Sequence, residues 1–146
     1  MRAILQRVSS ASVEVAGEIV GQIGTGLLVL LGVTHIDTES NARQLADKLI
    51  GLRIFSDSDG KMNFSVQDTK GALLVVSNFT LYADMNKGFR PNFLDAAKPE
   101  LAEKLYNYFV EYIRLHSLVR VETGIFGAMM NVSLVNDGPV TMVLDR

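Results

Sequence analysis

The chain predicts an α+β domain, with antiparallel or mixed β-sheets forming the core and two main helices inserted among the strands. Three observations carry this. Most apolar segments are short, and they either alternate with polar residues or run unbroken between turn-forming residues. Only two stretches carry apolar residues at helical spacing. No repeat, low-complexity tract or linker divides the 146 residues, so 1–146 reads as a single domain.

The elements follow in order. Residues 1–15 read as a strand, with Ile4, Val8, Val13 and Val15 among polar neighbours. Gly17-Glu18 is a tight turn, and Ile19, Gly21 and Ile23 belong to its hairpin partner. Gly26–Val33 has no polar face, the pattern of a strand covered on both sides. The glycines of Gly21-Gln22-Ile23-Gly24-Thr25-Gly26 open no helix and read as turn geometry. A helix follows, capped by Asp37 or Thr38, favoured by Glu39 at its positive end and striped by Leu45, Leu49 and Leu52. Arg53-Ile54-Phe55 is a short strand, Ser58-Asp59-Gly60-Lys61 a turn, and Ala72–Leu81 a second apolar strand. Residues 84–98 form a polar loop holding Lys87, Gly88, Arg90 and Pro91. Pro99 suits the first turn of the second helix, Glu100 and Glu103 favour its N-terminus, and Leu101, Leu105, Phe109, Tyr112 and Ile113 line one face. Val119–Glu122 is a strand. Met130–Val135 and Val140–Leu144 are expected to form a hairpin around Asn136-Asp137-Gly138-Pro139.

Composition narrows the chemistry. Apolar residues make up 48% of the chain and charged residues 21%, which supports a core and argues against disorder. Cys is absent, which excludes disulfides, zinc–thiolate sites and a cysteine nucleophile. That fits a reducing cytoplasm, the expected location. Residues 1–15 lack the charged head and apolar run of a signal peptide, and no apolar run is long enough for a membrane-spanning helix. The net charge of −2 is less basic than a duplex-wrapping protein, although a few cations suffice to hold the end of an RNA strand. His35 and His116 are the only histidines and lack metal-ligand spacing. Asp57-Ser58-Asp59 opens like a calcium loop but lacks the distal Glu, so it reads as a solvated turn. No Gly-x-Ser-x-Gly elbow or phosphate-binding loop is present. No metal or cofactor is expected. A catalytic site here must use backbone dipoles, hydroxyls or the substrate's own groups.

Three motifs remain. In Ser77-Asn78-Phe79-Thr80-Leu81, two hydroxyls, an amide and an aromatic ring cluster at a strand end. Ordinary strand-end hydrogen bonding explains it; the alternative is a pocket floor whose backbone N–H groups stabilise an oxyanion. Thr80 would be a nucleophile only with a base beside it, and none is evident. Around Gly138-Pro139, Asn, Asp and Gly suit a hairpin turn and Pro a strand start. Small residues beside Phe126 and Met130 in Thr123–Met130 leave room for a hollow with an aromatic wall, although core packing is the better account of Met130 alone.

Taken together these segments resemble the D-aminoacyl-tRNA deacylases. The resemblance runs through Leu5-Gln6-Arg7-Val8, Gly26–Val33, Arg53-Ile54-Phe55-Ser56-Asp57, Gly60-Lys61-Met62-Asn63, Ser77–Leu81, Lys87-Gly88-Phe89-Arg90-Pro91 and Asn136–Thr141. Position 78 is the departure: Asn stands where that family usually has Gln. The resemblance implies the deacylase fold with a barrel-like core. It also implies a homodimer whose active site lies at the subunit interface, and a substrate that is a tRNA 3′ end carrying a D-amino acid or glycine. Ser77, Phe79 and Thr80 are implied at the catalytic end. Gly138 and Pro139 are implied as a Gly-cisPro turn that accepts the substrate ammonium and excludes L side chains. Arg7 would steady that turn, with Asn78, Phe126 and Met130 also at the substrate. Lys87 and Arg90 read as solvated loop charges, with the acceptor stem as the alternative contact. Two other functions stay open: an editing domain acting on L-aminoacyl-tRNA, which the turn disfavours, and a non-catalytic tRNA-binding module, which the low net charge disfavours.

Overall fold

The computed structural model describes residues 1–146. In chain order the elements are β1 (Arg2–Val15), β2 (Glu18–Ile23), β3 (Gly26–Gly32), α1 (Glu39–Ile50), β4 (Phe55–Ser56), β5 (Met62–Phe64) and β6 (Ala72–Ser77). A 3-10 helix (Phe79–Tyr82), α2 (Pro99–His116), β7 (Arg120–Thr123) and β8 (Asn131–Asp145) follow. β1 organises the sheet. Its first half pairs antiparallel with β3, its second half with β2, and β8 runs antiparallel along its other edge. β6 and β7 extend the sheet beyond β3 as parallel neighbours.

The sheet curls until its ends almost meet. Arg120 Nη2 donates to the carbonyl of Gln22 at 3.3 Å, joining β7 to β2. A Cβ at position 21 would stand 2.5 Å from the carbonyl oxygen of Thr123, so this close approach requires Gly21. The result is a nearly closed, barrel-like α+β architecture.

The period-2 alternation of the strands sorts the core onto two faces. Ala3, Leu5, Leu27, Val29, Leu31, Leu73 and Val75 face α1 and α2, meeting Leu45, Leu49, Leu105, Phe109 and Ile113. Val8, Val13, Ile23, Leu28, Leu74 and Val76 fill the inside of the curl. Unbroken apolar runs in β3 and β6 are thus explained: both faces are covered. α1 begins at Thr38, whose N–H and hydroxyl both donate to Asn41 Oδ1, at 2.9 and 2.6 Å. α2 has Pro99 in its first turn, where a missing N–H costs no intrahelical bond.

Tyr106 ties α2 to the sheet. Its hydroxyl donates to the Val75 carbonyl at 2.8 Å, and burial pushes its pKa up to about 12. The same carbonyl also accepts from Gly124 N–H at 3.1 Å. Tyr106→Phe therefore leaves no unpaired acceptor and is expected to cost about 1 kcal/mol, or about 2–4 °C in Tm by thermal denaturation.

Several expectations need correction. No hairpin forms around residues 136–139. Both halves of β8 pair with β1 instead, Asn131–Asn136 opposite Glu14–Val8 and Thr141–Asp145 opposite Gln6–Arg2. Between Gln6 and Val8 of β1, β8 advances from Thr141 to Asn136, so the intervening residues bulge out of the ladder. A hairpin would have left one long edge of β1 unpaired. β6 stops at Ser77 rather than Leu81, because its partner β3 ends one residue past Leu31, the residue opposite Ser77. Of the three glycines in 21–26, only Gly24 falls in the turn; Gly21 lies in β2 and Gly26 opens β3, in line with the strands expected there. The short strand expected at Arg53–Phe55 is β4, displaced to Phe55–Ser56 and paired with β5. Asp57 does form a solvated turn: it accepts from the N–H groups of Asp59 and Lys61, both at 2.9 Å, and these bonds hold its pKa below the usual carboxylate range, with the Lys61 bond the largest cause.

Candidate active site

The end of β6 positions the first group of residues. Asn78 N–H donates to the Leu31 carbonyl at 2.8 Å, pinning the point where the chain leaves the sheet. Asn78 then caps the 3-10 helix. Its Oδ1 accepts from Thr80 N–H at 3.2 Å and from Thr80 Oγ1 at 2.5 Å. Asn is a strong N-cap because its short side chain folds back onto the next amides. The consequence is chemical: the Thr80 amide is already satisfied, and its hydroxyl proton points at an amide oxygen rather than at a base. Phe79 N–H, the first amide of the short helix, donates to no atom of the chain. It is the open donor at this corner.

A hollow of about 80 Å³ lies beside it, lined by Leu31, Val33, Ser77, Asn78, Phe79, Ala102, Tyr106, Phe126 and Gly127. This is far below the ~300–1,000 Å³ of a site that engulfs a drug-sized ligand. It accepts a small group while the rest of a ligand lies on the surface. Phe126 forms one wall and leans on Tyr106, ring centroids 5.9 Å apart. Phe79 is more than half exposed and meets Phe93 edge-on at 5.0 Å.

The second group gathers at Arg7. This guanidinium is buried, with only 8% of the residue exposed. Nη1 donates to the Ile54 carbonyl at 2.6 Å and Nε to the Asp137 carbonyl at 3.2 Å, while Nε also lies 3.0 Å from the Asp137 carboxylate. Arg7 thus clamps the bulge of β8 to the segment after α1. Gly138 has φ +129°, the Gly138–Pro139 peptide is cis, and both residues are exposed.

One chain does not bring the two groups together. Arg7 sits opposite Leu27 in β3, and Ser77 opposite Leu31. That is roughly 13 Å along the strand, with β1 between β8 and the strands β3 and β6 that line the hollow. Ser77, Asn78, Phe79 and Phe126 share the hollow; Thr80 sits beside it, and Arg7, Gly138, Pro139 and Met130 do not line it. Met130 packs against the core inside the curl, its sulfur close to Gly124.

Sequence reasoning missed Leu31, Val33, Ala102 and Tyr106 as lining residues. The one available signal was Tyr106, a polar hydroxyl within the apolar stripe of α2. The Asp137 carboxylate was also missed as a partner for Arg7. No His or carboxylate lines the hollow, and its single titratable group, Tyr106, has its proton committed to Val75. His35 lines a larger open groove of about 780 Å³ with Arg2 and Tyr82, and His116 stacks on Tyr112 at 4.1 Å. Nowhere do three His, Asp or Glu side chains converge as metal ligands.

Comparison with known proteins identifies the class. The fold matches a solved structure entitled c-Myc DNA Unwinding Element Binding Protein, 42% identical, with a TM-score of 0.95 over 100% of this chain and 99% of that one. A probable eukaryotic D-amino acid tRNA deacylase, 18% identical, shares the fold at a TM-score of 0.87 over 99% of this chain and 98% of its own. The family model described as D-Tyr-tRNA(Tyr) deacylase matches residues 4–145. Relatives named D-aminoacyl-tRNA deacylase, from Bacillus cytotoxicus and Bacillus mycoides, are each 59% identical over 145 residues, 99% of this chain and of theirs. The chain is a hydrolase. It belongs to the D-Tyr-tRNA(Tyr) deacylase family.

Proposed function

We propose that this protein hydrolyses the ester joining a D-amino acid, or misattached glycine, to the terminal adenosine of tRNA, and leaves L-aminoacyl-tRNA intact. Full-length similarity to proteins named D-aminoacyl-tRNA deacylase is the observation that carries this reading. In it, the ester carbonyl points at Phe79 N–H, which stabilises the oxyanion as water adds. Ser77 and Asn78 hold that corner, and the rings of Phe79 and Phe126 flank the terminal adenosine. Thr80 fastens the cap through Asn78. Met130 packs inside the curl, on the other core face, and takes no part in this reading.

The reactive end is completed by a second copy of the chain. The bulge of the partner brings the carbonyls of Gly138 and Pro139 to the substrate ammonium, and an L side chain would collide with it. Three observations support a homodimer: the distance between the two groups in one chain, the unpaired outer edge of β8, and the exposed Leu134, Val135 and Val143 on that strand. Specificity then rests on steric exclusion. No helix is long and apolar enough to cross a membrane, and the proposed setting is quality control of translation in the cytoplasm.

The test is deacylation of matched substrates. D-tyrosyl-tRNA or D-aspartyl-tRNA is expected to be hydrolysed at least ~100-fold faster than its L counterpart, a margin of about 2.7 kcal/mol in the transition state. Equal rates on both, or none on either, refute the reading.

A further inference from the structure

The polar loop after the 3-10 helix is built as a grip. Asp84 and Asn92 exchange backbone hydrogen bonds at 2.9 and 3.0 Å, closing the base of an excursion from 84 to 92. The Asp84 carboxylate reinforces that base, accepting from Asn86 N–H at 2.9 Å, from Asn86 Nδ2 at 2.7 Å and from Asn92 Nδ2 at 3.2 Å. These bonds hold its pKa below the usual carboxylate range, the Asn86 backbone bond being the largest cause. At the tip stand Lys87, Gly88, Phe89 and Arg90. Phe89 is wholly exposed, at 106% of its reference area, and neither Lys87 nor Arg90 forms an ion pair. In a chain of net charge −2, an aromatic ring between two free cations is a localised departure. The loop is also coupled to the site: Phe93, just past its base, packs edge-on against Phe79.

An aromatic platform flanked by free cations matches single-stranded nucleic acid, whose bases stack on rings and whose phosphates need neutralising. We infer that this tip holds the unpaired nucleotides preceding the terminal adenosine of the tRNA, with Phe89 stacking on a base and Lys87 and Arg90 facing phosphates. The assignment rests on the tRNA reading above. It adds a contact outside the reactive centre, one that gives affinity for the tRNA body and leaves the chemical step alone.

The experiment compares two substrates, D-tyrosyl-tRNA and 3′-O-D-tyrosyl-adenosine, which lacks the preceding nucleotides. On the tRNA, Phe89→Ala and the double variant Lys87→Ala/Arg90→Ala are each expected to raise KM about tenfold with kcat unchanged. The double variant should also flatten the log KM against log salt plot by about 1.4, the slope expected for two lost contacts to a single strand. On the adenosine ester both variants should match wild type. An equal loss on both substrates would overturn the inference by showing that the loop acts through Phe93 and Phe79. So would unchanged KM on the tRNA, or a change of oligomeric state by sedimentation, which would make the tip a contact between copies. Failure of wild type to cleave either D ester overturns the underlying tRNA reading instead, so the two failures are distinguishable.

Discussion

Replacing the terminal 2′-hydroxyl of D-tyrosyl-tRNA with hydrogen is expected to slow hydrolysis by this protein roughly 10²–10⁴-fold, the range of an intramolecular or positioned acid–base group. Thr80→Ala, in contrast, is expected to cost less than about tenfold. The ranking follows from what lines the hollow. The Thr80 hydroxyl donates to Asn78 Oδ1, and neither histidine nor any carboxylate lines the hollow beside it. A nucleophilic Thr80 would need a base to take its proton. In the proposed reaction the substrate hydroxyl next to the ester directs the water, and Phe79 N–H meets the developing charge. Single-turnover rates of wild type and Thr80→Ala on the ribo and 2′-deoxy substrates settle the order. If Thr80→Ala is the more damaging change, Thr80 returns as the nucleophile. With Tyr106 held protonated by a pKa of about 12, the wild-type rate should also show no protein-derived inflection between about pH 5 and 8.

Gly138→Ala is expected to lower kcat/KM on D-aminoacyl-tRNA roughly 100-fold and to narrow the D-to-L ratio. Position 138 has φ +129°, where an L side chain is strained by about 1–3 kcal/mol. A Cβ there would stand 2.8 Å from Val140 Cγ2, 2.9 Å from the Val140 nitrogen and 3.2 Å from Arg7 Nη2. Val140 is buried and Arg7 is clamped, so the bulge must yield. Displacement of a positioning group by about 1 Å is enough for a 10²-fold loss. Stability should fall by little more than the strain itself, because residues 137–139 are exposed. Denaturation midpoints measured beside D and L deacylation rates separate the two effects. A folded variant with wild-type D rate and D-to-L ratio would remove the bulge from the specificity mechanism.

Much of this architecture was legible as one-dimensional pattern. β3 reads from its lack of a polar face, α1 from a capping residue followed by a leucine stripe, and α2 from Pro99 ahead of Leu105, Phe109 and Ile113. Ser77, Asn78, Phe79 and Phe126 were also marked before the fold brought them to one hollow. What failed was pairing. Asn136-Asp137-Gly138 has the composition of a hairpin turn, but which strand each flank joins is decided by β1, more than a hundred residues earlier. The cap at Asn78 was hidden for a similar reason. A side chain bonded two residues ahead leaves no period, so the occupancy of Thr80 N–H appears only in three dimensions. The burial of Arg7 is likewise invisible in a strand that otherwise alternates normally; its place was implied by family resemblance alone.

The separation of Arg7 and Ser77 along β3 has a genetic side. In the proposed dimer each pocket is a joint product of two chains, one supplying the hollow and the other the bulge. A lesion at Gly138 spoils the neighbour's pocket and leaves its own hollow intact; a lesion at Phe126 does the reverse. Two alleles, each inactive as a homodimer, would then assemble into a mixed dimer with one pocket free of both lesions. Selection at either locus of the site therefore acts on pairs of chains, and the phenotype of a mutation in one group depends on the allele that furnishes the other.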